Sequence, residues 1–158
     1  MNLTKPVLLL LGFCATSASA QYSQPVDARS YNLGIIGGFS EVVRLGVKRL
    51  ALSEVMSPDE MDDIFADAEV VAKRNGVELY REPDLLVTDL YPADVAKGKD
   101  VLLIYTGDTL QRYLALKQRK AALIAANAYD ATARREIATE FGKLLSYPDS
   151  VIEELIAK

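Results

Sequence analysis

The spacing of apolar positions changes several times along the chain, and each change marks an element. Leu33-Gly34-Ile35-Ile36 is a short apolar run that predicts a buried strand. It is followed by Gly37-Gly38 and by a segment in which Phe39, Val42, Val43, Val47 and Leu50 recur at helical spacing. Ser40 suits the cap of that helix, which is expected to end near Gly46, with a strand over 49–53 after it. Ser57-Pro58-Asp59-Glu60 then combines a capping box with proline at the first helical position. The helix it starts carries Met61, Ile64, Phe65, Ala68, Val71 and Ala72 on one stripe, has Lys73 and Arg74 in its last turn, and stops at Asn75-Gly76.

Val77-Glu78-Leu79-Tyr80 predicts the next strand, and Leu85-Leu86-Val87-Thr88 a further short one beyond Pro83. Asp100-Val101-Leu102-Leu103-Ile104-Tyr105 is the most hydrophobic run after residue 20 and is expected to form the central strand. A long helix to about Ala126, a second from Ala131 to Leu145, and a last one after Pro148 close the chain. This order predicts an α/β fold: a small, mainly parallel sheet of about four to five short strands, with a helical C-terminal half made of an αα-hairpin and a terminal helix.

The first twenty residues read differently. Lys5 precedes the apolar run 6–13, which is too short to cross a bilayer, and Ala18-Ser19-Ala20 offers small side chains to a signal peptidase. A lipoprotein reading on Cys14 conflicts with the bulky Phe13 before it. The expected organisation is a signal peptide at 1–20 cleaved after Ala20, a flexible arm at 21–31, and a single α/β domain at 32–158. The product would be exported, periplasmic or secreted.

Removing residues 1–20 takes away the only cysteine and one lysine, leaving 17 basic against 22 acidic side chains. That balance gives no footprint for nucleic acid, and no second apolar span points to a membrane. The chain has no histidine and no tryptophan. Self-contained Ser-His-Asp and Cys-His machinery, zinc sites built on histidine or cysteine, and haem ligation by those residues are therefore excluded. Any catalysis would rest on carboxylates, tyrosine, serine, threonine or basic side chains, which favours a non-enzymatic protein over an enzyme.

In a parallel sheet, ligands sit beyond the carboxyl ends of the strands. Those ends would present Gly37, Gly38, Ser40, Ser53, Thr106 and Asp108 as ligand-binding candidates, with Glu54 or Asp89 as base and Tyr91 or Tyr105 as acid. The glycine turn resembles a loose nucleotide-fold turn but departs from G-x-G-x-x-G and lacks a Walker lysine, so its plain reading is a tight connection and no cofactor is expected. The acids Asp59, Glu60, Asp62, Asp63, Asp67 and Glu69 do not follow a calcium-loop pattern and read as a solvated helix start, so no metal is expected. Arg112, Lys117, Arg119, Lys120, Arg134 and Arg135 form a basic strip on two helices, a candidate surface for an acidic partner or the solvated faces of packed helices. Tyr147, beside the helix stop, either packs against the core or lines a pocket.

Three functions follow as expectations. The first is an exported binding or accessory protein that takes a small polar molecule or another exported protein at the strand ends. The second is a small hydrolase, lyase or isomerase working with carboxylate and tyrosine, and the third is an interaction or inhibitor module using the helical half. The capping box supplies a local test: Ser57→Ala should lower stability by about 1 kcal/mol. An unchanged urea midpoint would remove the assigned helix start.

Overall fold

The computed structural model describes residues 27–91 and 94–157. The expected signal peptide and residues 21–26 of the expected arm lie outside them. Five helices and three strands follow in the order α1 (Ala28–Arg44), β1 (Leu50–Leu52), α2 (Pro58–Asn75), β2 (Glu78–Glu82), β3 (Val101–Tyr105), α3 (Thr109–Ala125), α4 (Ala131–Leu144) and α5 (Asp149–Ile156).

The sheet overturns the expected fold class. It has three strands in the order β1-β3-β2, and both pairings are antiparallel. Strands β1 and β2 run parallel to one another and are joined through α2, as alternation of strand and helix predicts. They are not neighbours, however, because β3 enters between them in the opposite sense. The remaining expected strands do not form, for two separate reasons.

The first, Leu33–Ile36, lies inside α1. Ile36, Ser40 and Val43 are its buried residues, with Leu33 and Phe39 packed beside them, which is helical spacing. Helix α1 starts within the segment expected to be an arm, where the Asp27 carboxylate accepts from the Ser30 N–H at 2.9 Å. Three glycines and two β-branched isoleucines make this a poor helix by propensity, and burial of the stripe against α2 and the sheet overrides that preference.

The second, Leu85–Thr88, is irregular because α3 supplies the partners a sheet would have given. The Tyr113 hydroxyl accepts from the Leu86 N–H at 2.9 Å, the Lys120 ammonium donates to the Val87 carbonyl at 2.6 Å, and the Lys117 ammonium donates to the Asp84 carbonyl. Lys117 also pairs with Glu82 at 3.0 Å, and Glu82 is only 2% exposed. The same Glu82 Oε1 accepts from the Asp84 N–H at 2.9 Å. A buried carboxylate with a close cation is tolerated where an unpaired one would not be.

Strand β3 divides the interior into two cores. Leu102 and Ile104 face α1 and α2 together with Ala51, Met56, Met61, Ile64, Ala68 and Ala72. Leu103 and Tyr105 face the other way, toward Leu50, Tyr113, Leu116, Ile137, Phe141 and Ile152. The capping box at Ser57 is present in full: Glu60 N–H donates to Ser57 Oγ, and Ser57 N–H donates to Glu60 Oε2 at 2.8 Å. Gly76 ends α2 at φ 69°, a left-handed conformation that glycine adopts without strain. The helix pair α3–α4 and the terminal α5 occupy the segments expected for them. Among the described residues no helix is long and apolar enough to cross a membrane.

Helix α5 packs on α4 through a position that only glycine fits. A Cβ added at Gly142 would meet Ile152 Cγ1 at 2.7 Å and Cδ1 at 2.8 Å, and Ile152 is itself buried. Alanine in place of a helical glycine ordinarily adds about 1 kcal/mol of stability. Here overpacking outweighs that gain, and Gly142→Ala should lower unfolding free energy by about 1–3 kcal/mol. Urea denaturation checks it; an equal or raised midpoint would show that α5 can slide away at no cost.

Candidate functional site

The expected rim of strand ends does not exist as one surface. Because β3 opposes its neighbours, the ends of β1 and β2, with Ser53, Glu54, Arg81 and Glu82, lie at one end of the sheet, and Tyr105, Thr106 and Asp108 lie at the other. Gly37, Gly38 and Ser40 are absent from both, since they sit within α1. Gly37 faces Val71 of α2, Gly38 is exposed, and Ser40 is fully buried with its Oγ unpartnered. An anion site at a strand-to-helix turn is therefore ruled out at these residues.

The other candidates are dispersed or occupied. Glu54 is exposed. Asp89 accepts from Arg134 at 2.7 Å. The Tyr105 hydroxyl donates to Glu78 at 3.3 Å, and burial is the main cause raising its pKa, with the Glu78 carboxylate adding to it. Thr106 supplies its carbonyl to the Thr109 hydroxyl, and Asp108 pairs with Arg112 at 2.9 Å. Glu54 and Tyr91 border one cavity and Asp89 and Tyr91 another, but Tyr91 is bonded to Tyr147 and Asp89 to Arg134, and no hydrogen bond joins a carboxylate and a tyrosine of the expected acid–base set.

The basic strip is neutralised from within. Arg112 is held by Asp108, Lys117 by Glu82 and Asp84, Arg119 by Glu136 and Glu140, Arg134 by Asp89, and Arg135 by Glu153. Lys120 is bonded to the Val87 carbonyl and lies 5.4 Å from the centre of the Tyr129 ring. On the acidic helix, Asp62 binds Arg81 and Asp67 binds Arg29. Among the described residues no group of three or more carboxylates is arranged to hold a metal ion.

What the fold does build is a cleft of about 520 Å³ beside the edge strand β1. One wall is Phe39 of α1, the floor is 51–55, and the opposite wall combines Leu85 and Tyr91 of the irregular segment with Leu145 and Tyr147 of the α4–α5 turn. Ser53 ends the strand here. Its Oγ accepts from the Leu102 N–H at 2.9 Å, taking the place of a ladder carbonyl, and donates to the Glu54 carbonyl at 2.8 Å. The chain then leaves the sheet, and the space beyond its edge stays open.

Three polar side chains of this cleft, Lys48, Tyr91 and Tyr147, lie together. Tyr91 and Tyr147 share a hydroxyl–hydroxyl bond of 2.6 Å. Burial, reinforced by that bond, pushes the Tyr91 pKa well above its ordinary value, so the hydroxyl stays protonated. The half-buried Lys48 ammonium donates to the Leu145 carbonyl at 2.8 Å, an open C-terminal carbonyl of α4, and lies 4.9 Å from the centre of the Tyr147 ring. Desolvation lowers the Lys48 pKa. The neighbouring turn is held by Ser146, whose Oγ accepts from the Arg49 N–H at 2.9 Å.

Sequence reasoning singled out Tyr91 and Ser53, and it offered a pocket as one of two readings of Tyr147. It gave Lys48 no role, and no local pattern marks that lysine: its partners are about a hundred positions away in the chain. Tyr91 carries a consequence for pH. Its pKa is raised in the folded state, so the stability it contributes is complete below about pH 10 and is lost at higher pH as the unfolded chain ionises first. Tyr91→Phe should therefore flatten the fall in melting temperature above pH 10; a slope equal to that of the parent would place the hydroxyl in solvent. Comparison of the chain with family models, curated proteins and solved structures finds no match, so its function has to be read from this geometry.

Proposed function

We propose that this protein is an exported, non-enzymatic binding protein whose ligand occupies the cleft beside β1. The carrying observation is the cleft itself: a concavity of about 520 Å³, mainly apolar, with a small set of converging donors. That volume and composition match the general character of small-molecule sites, roughly 300–1,000 Å³ with few polar groups. Export rests on the pattern of residues 1–20. The missing histidine, and the engagement of Tyr91 with Tyr147 and of Asp89 with Arg134 rather than with one another, favour binding over hydrolase, lyase or isomerase chemistry. Internal pairing of the basic strip leaves the helical half less suited to an acidic partner.

The test uses a neutral apolar fluorophore, N-phenylnaphthylamine, titrated into the folded protein. Saturable one-to-one binding is expected, and Val55→Trp, which adds bulk to the floor, should weaken it at least about tenfold while the circular dichroism spectrum is kept. Binding that fails to saturate, or that is indifferent to the tryptophan, would sink the assignment.

A further inference from the structure

We infer that the ligand of this cleft is a small amphipathic monoanion, a carboxylate on an apolar body, with its head held by Lys48 and the Tyr91–Tyr147 pair. The inference rests on the binding reading given above and adds to it the chemical class of the ligand.

Lys48 is the first ground. Among the partly buried cations, Lys117 has Glu82 and Arg81 has Asp62 and Asp100, while Lys120, held by a carbonyl and a ring as Lys48 is, still lies in the field of Asp84 and Asp89. The Lys48 ammonium is half-buried, and among the described residues it has only a neutral carbonyl and a ring face. Withdrawal from water without a compensating anion is costly for a charge. A bound anion would remove that cost.

The tyrosine pair is the second. Two hydroxyls joined by one mutual bond use one of their two protons, and the other has no acceptor among the described residues. The head of the cleft therefore offers an ammonium and a free O–H. An ionised carboxylate only accepts and has lone pairs for both. Ser53 does not compete for the head, because its Oγ is already bonded as donor and as acceptor.

The remaining walls decide the body and the charge. Phe39, Leu52, Val55, Leu85 and Val95 present hydrocarbon, which suits a ligand with an apolar tail. Glu54 also borders the cleft and would repel a second negative charge, so a monoanion fits where a polyphosphate does not.

Displacement of N-phenylnaphthylamine by three eight-carbon probes at pH 7 tests this. Octanoate should displace it at a concentration about tenfold or more below that needed for 1-octanol, with octylamine the weakest. In Lys48→Met, with octanoate and octanol each titrated directly by calorimetry so that the reading does not depend on the fluorophore, the advantage of octanoate over octanol should vanish, and in Lys48→Arg most of it should return. Equal potency of octanol in the parent, or an octanoate advantage that survives Lys48→Met, would overturn the anion assignment and leave the cleft standing. If the fluorophore does not bind the parent at all and calorimetry with octanoate is silent, the binding reading falls and this one with it.

Discussion

Strand β3 is hydrogen-bonded on both edges and covered on both faces, and every other element is placed by what it does for that strand. Val101 through Tyr105 are all buried, so neither side of the sheet can be left to water. Leu102 and Ile104 require α1 and α2, and Leu103 and Tyr105 require the α3–α4–α5 stack. Burying five such residues in a row is favourable only if both layers form together, which couples two otherwise separate cores into one cooperative unit. Of the two edge strands, β2 matches the five residues of β3 and β1 is shorter. Strand β1 contributes three residues and then ends at Ser53, and that early ending creates the open space beside it.

What was legible in the sequence was what is decided within a turn or two of chain. The capping box at Ser57, the stop at Gly76, the helix pair and the central strand all announce themselves through neighbours a few residues apart. The failures came where distant partners decide. Ile35 and Ile36 between glycines look like a strand to any local rule, and only the burial of Ile36, Ser40 and Val43 on one stripe makes the segment a helix. Leu85–Thr88 has strand composition, but its backbone donors and acceptors are met by side chains from α3. Strand direction was lost with these two errors, because the pattern of alternating strand and helix holds for β1 and β2 while the strand between them enters last.

The candidate site was legible in the same partial way. Tyr91, Ser53 and Tyr147 stand out as polar groups at element ends. Their convergence depends on the α4–α5 turn coming back against the start of β1, fixed by Lys48 on the Leu145 carbonyl and by Arg49 on Ser146. No spacing in the chain encodes a meeting of residues 48, 91 and 147. The expected basic surface shows the converse: its members lie together as the helical pattern implies, but acids from β2, from α4 and from the irregular segment consume their charge.

The segment after β2 has no regular structure, yet its course is fixed by rulers of constant spacing. Tyr113, Lys117 and Lys120 project from successive turns of α3 and engage the backbone at Leu86, Asp84 and Val87, while Arg134 of α4 holds Asp89. Bonds to main-chain atoms are indifferent to most changes of side chain. They are not indifferent to count. One residue gained or lost between Glu82 and Asp89 would put every one of these contacts out of step and carry Leu85 and Tyr91 out of the cleft wall. Over evolutionary time the exposed positions Pro83, Asp84 and Val87 should drift in sequence while the length of the stretch stays constant, the reverse of what is usual for an irregular connection.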